Sequence, residues 1–408
     1  MWNKIINLLK TTYARLMFRG EPSPKHWVFS SVHNQTFNYN SSYLFLYVKE
    51  HCKDIHPYYV INNDELRKQL QEQYGEKYFI ETNTLEGIRK VLSCKVWFTS
   101  TAPPLYGVGF RKKYRIINLW HGVPLKKVGM KQENLLKLTR MYYKYLFADN
   151  YSAVLTTSAS LVPVMSESFM VEPDRIKVWG QPRNDMLFEK KDRLEELAKC
   201  YPGEQIPDFE KAVLYAPTFR DHAPTKIFPF PEFENESTRE DAVKHLLQTL
   251  EEQKLFLCVR MHLYDQTGLE WMQSLDVPGS RIRFLNEDRV SDIMRVLNVF
   301  DLLITDYSSI YIDYLLLEKP IIFLPYDKEE YLAERGMNFE YDQVTPGPKP
   351  KTYKELLNSM FELLYNQDNY EQQRAEMNQF FNEINVPCCK KICFHVKTML
   401  EQRKKKTL

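Results

Sequence analysis

The chain has 408 residues, 44% of them hydrophobic and 26% charged, a globular balance that excludes a disordered or membrane-spanning polypeptide. That length predicts two or three domains rather than a single core. A formal net charge of +2 points to no particular partner, and no nucleic acid is expected among them.

Residues 1–20 carry Lys4, Lys10, Arg15 and Arg19 and no acidic residue. Their apolar positions, Trp2, Ile5, Ile6, Leu9, Tyr13, Leu16 and Met17, share one helical face. The spacing predicts a basic amphipathic helix that lies on an anionic membrane surface or packs on the first domain. The apolar run is too short to span a bilayer, and no signal-peptide cleavage pattern follows it. A second basic cluster, Arg403 to Lys406, favours the membrane reading.

Pro22 and Pro24 end that helix. Short apolar runs at 27–32, 58–62, 95–99, 115–120 and 153–157 then predict strands. Helical patterns near 42–52, 64–74, 84–92 and 132–147 lie between them. The alternation indicates crossover units on a parallel sheet, hence a first α/β domain over 22–188. A charged stretch at 189–209 reads as a junction. Beyond it the pattern restarts, with strands at 211–216, 255–261, 281–285, 302–305 and 320–324. Helices near 238–253, 291–298, 309–317, 328–335, 353–365 and 369–381 complete a second domain over 208–385, and 386–408 forms a basic C-terminal helix or tail. Two doubly wound, Rossmann-like domains imply a cleft, with ligands at the carboxyl ends of the strands.

Seven cysteines form no zinc-like Cys-x-x-Cys pair, which argues against disulfides and a structural metal and fits a reducing compartment. Cys388, Cys389 and Cys393 lack a Cys/His cluster to complete a site. No dinucleotide fingerprint, Walker A loop, Asp-x-Asp pair or nucleophile elbow is present, so neither a cofactor nor a catalytic metal is expected.

Four strand ends carry polar chemistry. The first ends in Trp120, His121 and Gly122, followed by Pro124, Lys126 and Lys127. A neutral imidazole there can take a proton from a hydroxyl near neutral pH, and the lysines can attract a phosphorylated acceptor. An isolated His-Gly step is more often a turn with the imidazole bonded to backbone. The second carries Thr218, Arg220 and Asp221, a hydroxyl and a forked cation matched to phosphate, or a salt-bridged loop. The third places Arg260 and His262 on one face of a strand, an anion site or a buried, satisfied histidine. The fourth runs from an apolar strand into Thr305, Asp306, Ser308 and Ser309, where helix capping and phosphate binding use the same groups.

In order, Trp-His-Gly-x-Pro-Leu-Lys-Lys, Gly-x-Pro-Arg-Asn-Asp (Gly180 to Asp185), Tyr-Ala-Pro-Thr-x-Arg-Asp, Arg-Met-His and Thr-Asp-Tyr-Ser-Ser resemble the CDP-glycerol glycerophosphotransferase family of teichoic-acid primases and polymerases. Tyr326, Asp327, Tyr331, Arg335 and Gly336 extend the likeness. One departure is the stretch Asn385-Val-Pro-Cys-Cys, where members often carry an Asp-Gly-rich segment.

The resemblance implies a GT-B fold and peripheral attachment to the cytoplasmic face of the membrane. The implied reaction transfers glycerol phosphate, or a related alditol phosphate, from a CDP-alditol to a hydroxyl of a lipid- or glycan-linked acceptor and releases CMP. In that frame His121 is the acceptor-activating base, and His262 with Arg260 meets the pyrophosphate and leaving group. Thr305, Asp306, Ser308 and Ser309 bind the donor, while Thr218, Arg220, Asp221, Gly122, Lys126 and Lys127 contribute further substrate contacts. The rivals are a glycosyltransferase using a nucleotide-sugar and a non-catalytic polymer-binding subunit of the same fold.

Overall fold

The structure, a computed structural model, describes residues 2–18, 20–132, 135–218, 220, 225–261 and 270–406. The chain divides into two compact units, Met1–Asp185 with Glu383–Leu408, and Met186–Asn382.

The first unit holds β1 (Ser23–Ser30), β2 (His56–Val60), β3 (Phe79–Ile80), β4 (Cys94–Thr99), β5 (Arg115–Asn118), β6 (Tyr151–Thr156) and β7 (Ile176–Val178). They form a 7-stranded sheet in the order β3-β2-β1-β4-β5-β6-β7, every pair parallel. Trp27, Val28 and Phe29 are fully buried, the mark of a parallel strand covered on both faces. Val28 lies opposite Tyr58 on one side and Trp97 on the other. The second unit holds β8 (Lys211–Ala216), β9 (Leu255–Val259), β10 (Ile282–Phe284), β11 (Leu302–Thr305) and β12 (Ile321–Phe323). Its 5-stranded sheet runs β10-β9-β8-β11-β12, again parallel throughout.

Helix starts follow local capping chemistry. The Asn63 side chain accepts from Leu66 N at 2.9 Å and opens the helix Asp64–Tyr74, and Thr84 does the same for Leu85–Leu92 through Gly87 N. Two expected helices differ, and two unexpected strands appear. The helix expected from 132 begins at Lys137 and ends in a π-helical turn, Lys144–Ala148. The 291–298 helix is two 3-10 turns, Ile293–Arg295 and Leu297–Val299, the first opened by Asp292 accepting from Met294 N. Strands β3 and β7 are two and three residues long, too short for an alternating pattern to announce them.

Residues 386–408 supply the helix Cys389–Lys406. Cys388, Cys389, Ile392, Cys393 and Val396 lie in the first unit's core with Cys52, Phe45 and Trp27. All seven cysteines are buried and unbridged and serve as small apolar residues. The N-terminal helix, Trp2–Met17, also packs on this unit. Thr11 and Ala14 are buried, Lys10 Nζ donates to Asn83 O at 3.1 Å, and an Arg15 Nη1 hydrogen bond reaches Val108 O at 2.9 Å. Among the described residues no helix is long and apolar enough to cross a membrane, and no group of three or more His, Cys, Asp or Glu could hold a metal ion.

Candidate functional site

His121 follows β5 and is held from several sides. Its ring packs, tilted, against Trp120 (centroids 3.8 Å) and stacks on Tyr39 (4.9 Å). Both flanking aromatics have left-handed backbones, φ 54° and 57°, a conformation that costs a non-glycine residue about 1 kcal/mol or more. Asn40 repays part of that strain. Its Nδ2 donates to Leu119 O and Trp120 O at 3.2 and 3.0 Å, and its Oδ1 accepts from Arg183 N at 3.0 Å. Arg183 Nη1 in turn donates to His121 O at 2.8 Å. The turn that carries the imidazole is thereby fixed to the start of the helix Tyr39–His51 and to the 3-10 segment Pro182–Phe188.

The protonation state follows from one bond. His121 Nδ1 lies 2.9 Å from Ser100 O. A carbonyl oxygen can only accept, so Nδ1 carries the proton and Nε2 keeps its lone pair. Burial, with the nearby Arg183 charge, lowers the pKa from 6.5 to about 4 against the opposing pull of the Ser100 carbonyl. The ring is therefore neutral at neutral pH and its Nε2 is unprotonated. We expect the His121 Cε1 proton shift to stay flat from about pH 8 to about pH 5 and to titrate near 4. A midpoint at the ordinary histidine value would overturn the burial argument. Gly122, Lys126 and Lys127 follow as half-buried residues on the same turn.

In the second unit the chemistry gathers after β8 and β11. Arg220 is 6% exposed and Asp306 1% exposed. Arg220 Nη2 donates to Asp306 Oδ2 at 3.0 Å and Nε to Asp327 Oδ2 at 2.7 Å, while Nη1 takes Thr218 O at 2.6 Å. Its guanidinium also lies over the rings of Tyr307, Tyr326 and Tyr331, about 5 Å from each. Asp306 additionally accepts from Thr218 N at 2.8 Å and Tyr307 N at 2.6 Å. Thr305 Oγ1 donates to Ala216 O at 2.7 Å. The donors of Arg220 thus meet carboxylates and a carbonyl rather than open space, and Thr305 and Asp306 tie β11 to the end of β8.

Three hydroxyls stand differently. Ser308 and Ser309 are half-buried, Ser308 Oγ accepting only a long 3.4 Å bond from Ile310 N and Ser309 making no side-chain cap. Thr218 Oγ1 is buried with no hydrogen-bond partner among the described residues. Arg260, after β9, donates through Nη1 to Leu285 O and Val290 O at 2.8 and 2.9 Å. His262 and Asp221 lie outside the described residues. Tyr39, Asn40 and Ser100 had no signal in the sequence, because each acts across a large sequence separation. Arg183 and Asp185 sit in the Gly180 to Asp185 motif, where Asp185 accepts from Cys388 N and Cys389 N and so caps the C-terminal helix.

A family model described as CDP-glycerol:poly(glycerophosphate) glycerophosphotransferase matches residues 12–385. The chain is 26% identical over 365 residues to a teichoic acid poly(glycerol phosphate) polymerase of Bacillus spizizenii, covering 87% of this chain and 86% of that one. It is 25% identical over 335 residues to a teichoic acid poly(ribitol-phosphate) polymerase of the same organism, covering 79% of this chain but about half, 51%, of the relative's length. The solved structure of the wall teichoic acid polymerase TagF superposes with a TM-score of 0.75 at 19% identity, covering 99% of each chain. Together with the two parallel sheets, that likeness assigns the GT-B fold class.

Proposed function

The chain belongs to the CDP-glycerol:poly(glycerophosphate) glycerophosphotransferase family, and on that premise we propose that it transfers glycerol phosphate, or a related alditol phosphate, from a CDP-alditol to a hydroxyl of a membrane-linked acceptor. The observation that carries the mechanism is the neutral His121 ring, with Nδ1–H fixed on Ser100 O and Nε2 left unprotonated. Nε2 takes the acceptor's hydroxyl proton, the oxygen attacks the β-phosphorus, and the bond to the bridging oxygen breaks to release CMP. Such transfer depends mainly on positioning and on stabilising charge on the phosphoryl oxygens. Ser308, Ser309 and Thr218 supply hydroxyl contacts to the donor. Arg220, Asp306 and Thr305 form the frame that holds them, and on the family likeness Arg260 and His262 are assigned to contacts with the leaving phosphate. Incubation with CDP-glycerol and with CDP-ribitol, plus acceptors, tests the reading by CMP release and product length. No CMP from either donor would sink it.

We further assign the acceptor side to an anionic membrane surface. The N-terminal helix leaves Leu9, Leu16 and Met17 outward, at 64%, 74% and 54% exposure. Leu136 and Leu138 are 73% and 76% exposed beside Lys137 and Arg140. A hollow lined by Arg111, Lys112, Arg115, Arg175 and Lys177 against Asp149 and Asp174 includes Tyr145 and Val108, and Arg15 reaches Val108 O. Apolar side chains framing a cationic surface suit a headgroup layer. Leu16→Glu with Leu138→Glu is expected to weaken sedimentation with phosphatidylglycerol vesicles about tenfold or more, since each loses apolar burial and gains repulsion. Equal sedimentation of variant and parent overturns the assignment.

A further inference from the structure

We propose that a polar pocket on the first unit is a second acceptor subsite, which holds an alditol-phosphate unit behind the one whose hydroxyl reacts. The pocket has a volume of about 440 Å³, within the ~300–1,000 Å³ range of small-molecule sites. It sits on the carboxyl edge of the sheet. Asn34 follows β1, Asn62 follows β2, Thr82 follows β3, and the 102–106 loop follows β4. His121 follows β5, which pairs with β4, and its Nδ1 rests on Ser100 O in the loop after β4. One acceptor chain running along this edge therefore meets both places.

The rim is preformed. Asn62 Nδ2 donates to Thr82 Oγ1 at 3.0 Å, Thr82 N donates back to Asn62 Oδ1 at 2.8 Å, and Asn34 Nδ2 reaches Thr82 Oγ1 and Pro104 O. His33 and Asn34 are consecutive left-handed residues, φ 51° and 60°, strain of the kind stored where a loop must present a particular surface. Against this satisfied rim one group stands out. Thr11, 1% exposed, lines the pocket, and its Oγ1 has no hydrogen-bond partner among the described residues. A buried hydroxyl without a partner is costly in the empty protein and is repaid when a ligand hydroxyl meets it.

Charge selects the rest of the ligand. Among the described residues that line the pocket, Lys10 is a cation and none is a carboxylate. The remainder are amides, hydroxyls, prolines, the exposed His33, the half-buried Tyr106 and the apolar Ile88, Ala102 and Leu105. Amides and a buried hydroxyl beside a ring and one ammonium suit vicinal hydroxyls joined to a phosphodiester. Glycerol-phosphate and ribitol-phosphate chains share that chemistry.

The inference rests on the acceptor chemistry proposed above, and the test separates the two. Synthetic trimers of glycerol phosphate and of ribitol phosphate are titrated calorimetrically against the full chain without donor, while CMP release from CDP-glycerol and CDP-ribitol is followed in parallel. At least one trimer is expected to bind the parent. Thr11→Val, which keeps the shape and removes only the unpartnered hydroxyl, is expected to bind it about fivefold more weakly, the worth of one hydrogen bond. Its thermal midpoint is expected to be equal or higher, which a merely structural role for the hydroxyl does not predict. Lys10→Met is expected to weaken binding and flatten its salt dependence. Equal binding by Thr11→Val and the parent overturns the subsite. So does a parent that binds no trimer yet releases CMP, with the transferase reading left standing. Absence of both binding and CMP release overturns the two together.

Discussion

His121→Ala is expected to lower CMP release in the presence of acceptor by about a hundred- to ten-thousandfold, the usual worth of a general base. Donor affinity is expected to change little, because the hydroxyls assigned to the donor lie after β8 and β11 in the other unit. The magnitude rests on the local geometry. Nε2 is the free lone pair because Nδ1–H is committed to Ser100 O, and the ring is pinned by packing against Tyr39 and Trp120. An imidazole with a pKa of about 4 is always neutral at working pH but is a weak base. An anionic phosphodiester drawn close to the ring raises that pKa, since opposite charge favours the protonated form. Basicity then grows as substrate arrives. The acid limb of kcat/KM, which reports the free enzyme, is therefore expected lower than the acid limb of kcat, which reports the complex. Unaltered turnover in His121→Ala removes the base assignment, whatever the pH profile shows.

The parts legible in the sequence were those specified by neighbours along the chain. Strand β11 reads as four apolar or β-branched residues, and the structure buries all of them. The helix Asp64–Tyr74 follows the helical pattern along its own residues, and the neighbouring Asn63 side chain caps it. His121 stood out because an apolar run ends on it. What could not be read is pairing at a distance. Arg220 meets Asp306 and Asp327 across 86 and 107 residues, and a lone Arg-Asp step gives no hint that buried carboxylates await the guanidinium. Asn40 reaches Leu119 O across 79 residues, so its clamp on the His121 turn was equally silent. The 386–408 stretch reads as a basic helix or tail because its charges are conspicuous and its apolar face, Cys389, Ile392, Cys393 and Val396, is not. Only Asp185, accepting the first amides of that helix, shows why Gly-x-Pro-Arg-Asn-Asp ends in a carboxylate.

Asp327→Ala carries the other large expected effect, and it falls on stability. Asp327 accepts from Arg220 Nε and Nη2 and from Tyr307 OH, at 2.7, 3.0 and 3.0 Å. Removing it leaves a guanidinium that is 6% exposed with one carboxylate instead of two, and strips the Tyr307 hydroxyl of its acceptor. Breaking a buried pair on one side typically costs about 3–5 kcal/mol, which for a unit of this size lowers the melting midpoint by roughly 6–20 °C. Arg220→Met removes the charge itself and keeps much of the apolar stem between the tyrosine rings. It leaves Asp306, supported by Thr218 N and Tyr307 N, and Asp327, supported by Tyr307 OH, without their cation, so a framing guanidinium predicts a midpoint that falls at least as far as that of Asp327→Ala. The comparison decides what Arg220 is for. A guanidinium that frames the strand ends gives variants whose donor binding declines in step with their stability and recovers at low temperature. A guanidinium that grips phosphate gives Arg220→Met a near-parent midpoint with donor affinity lost at every temperature, and that result would replace the framing role with a ligand role.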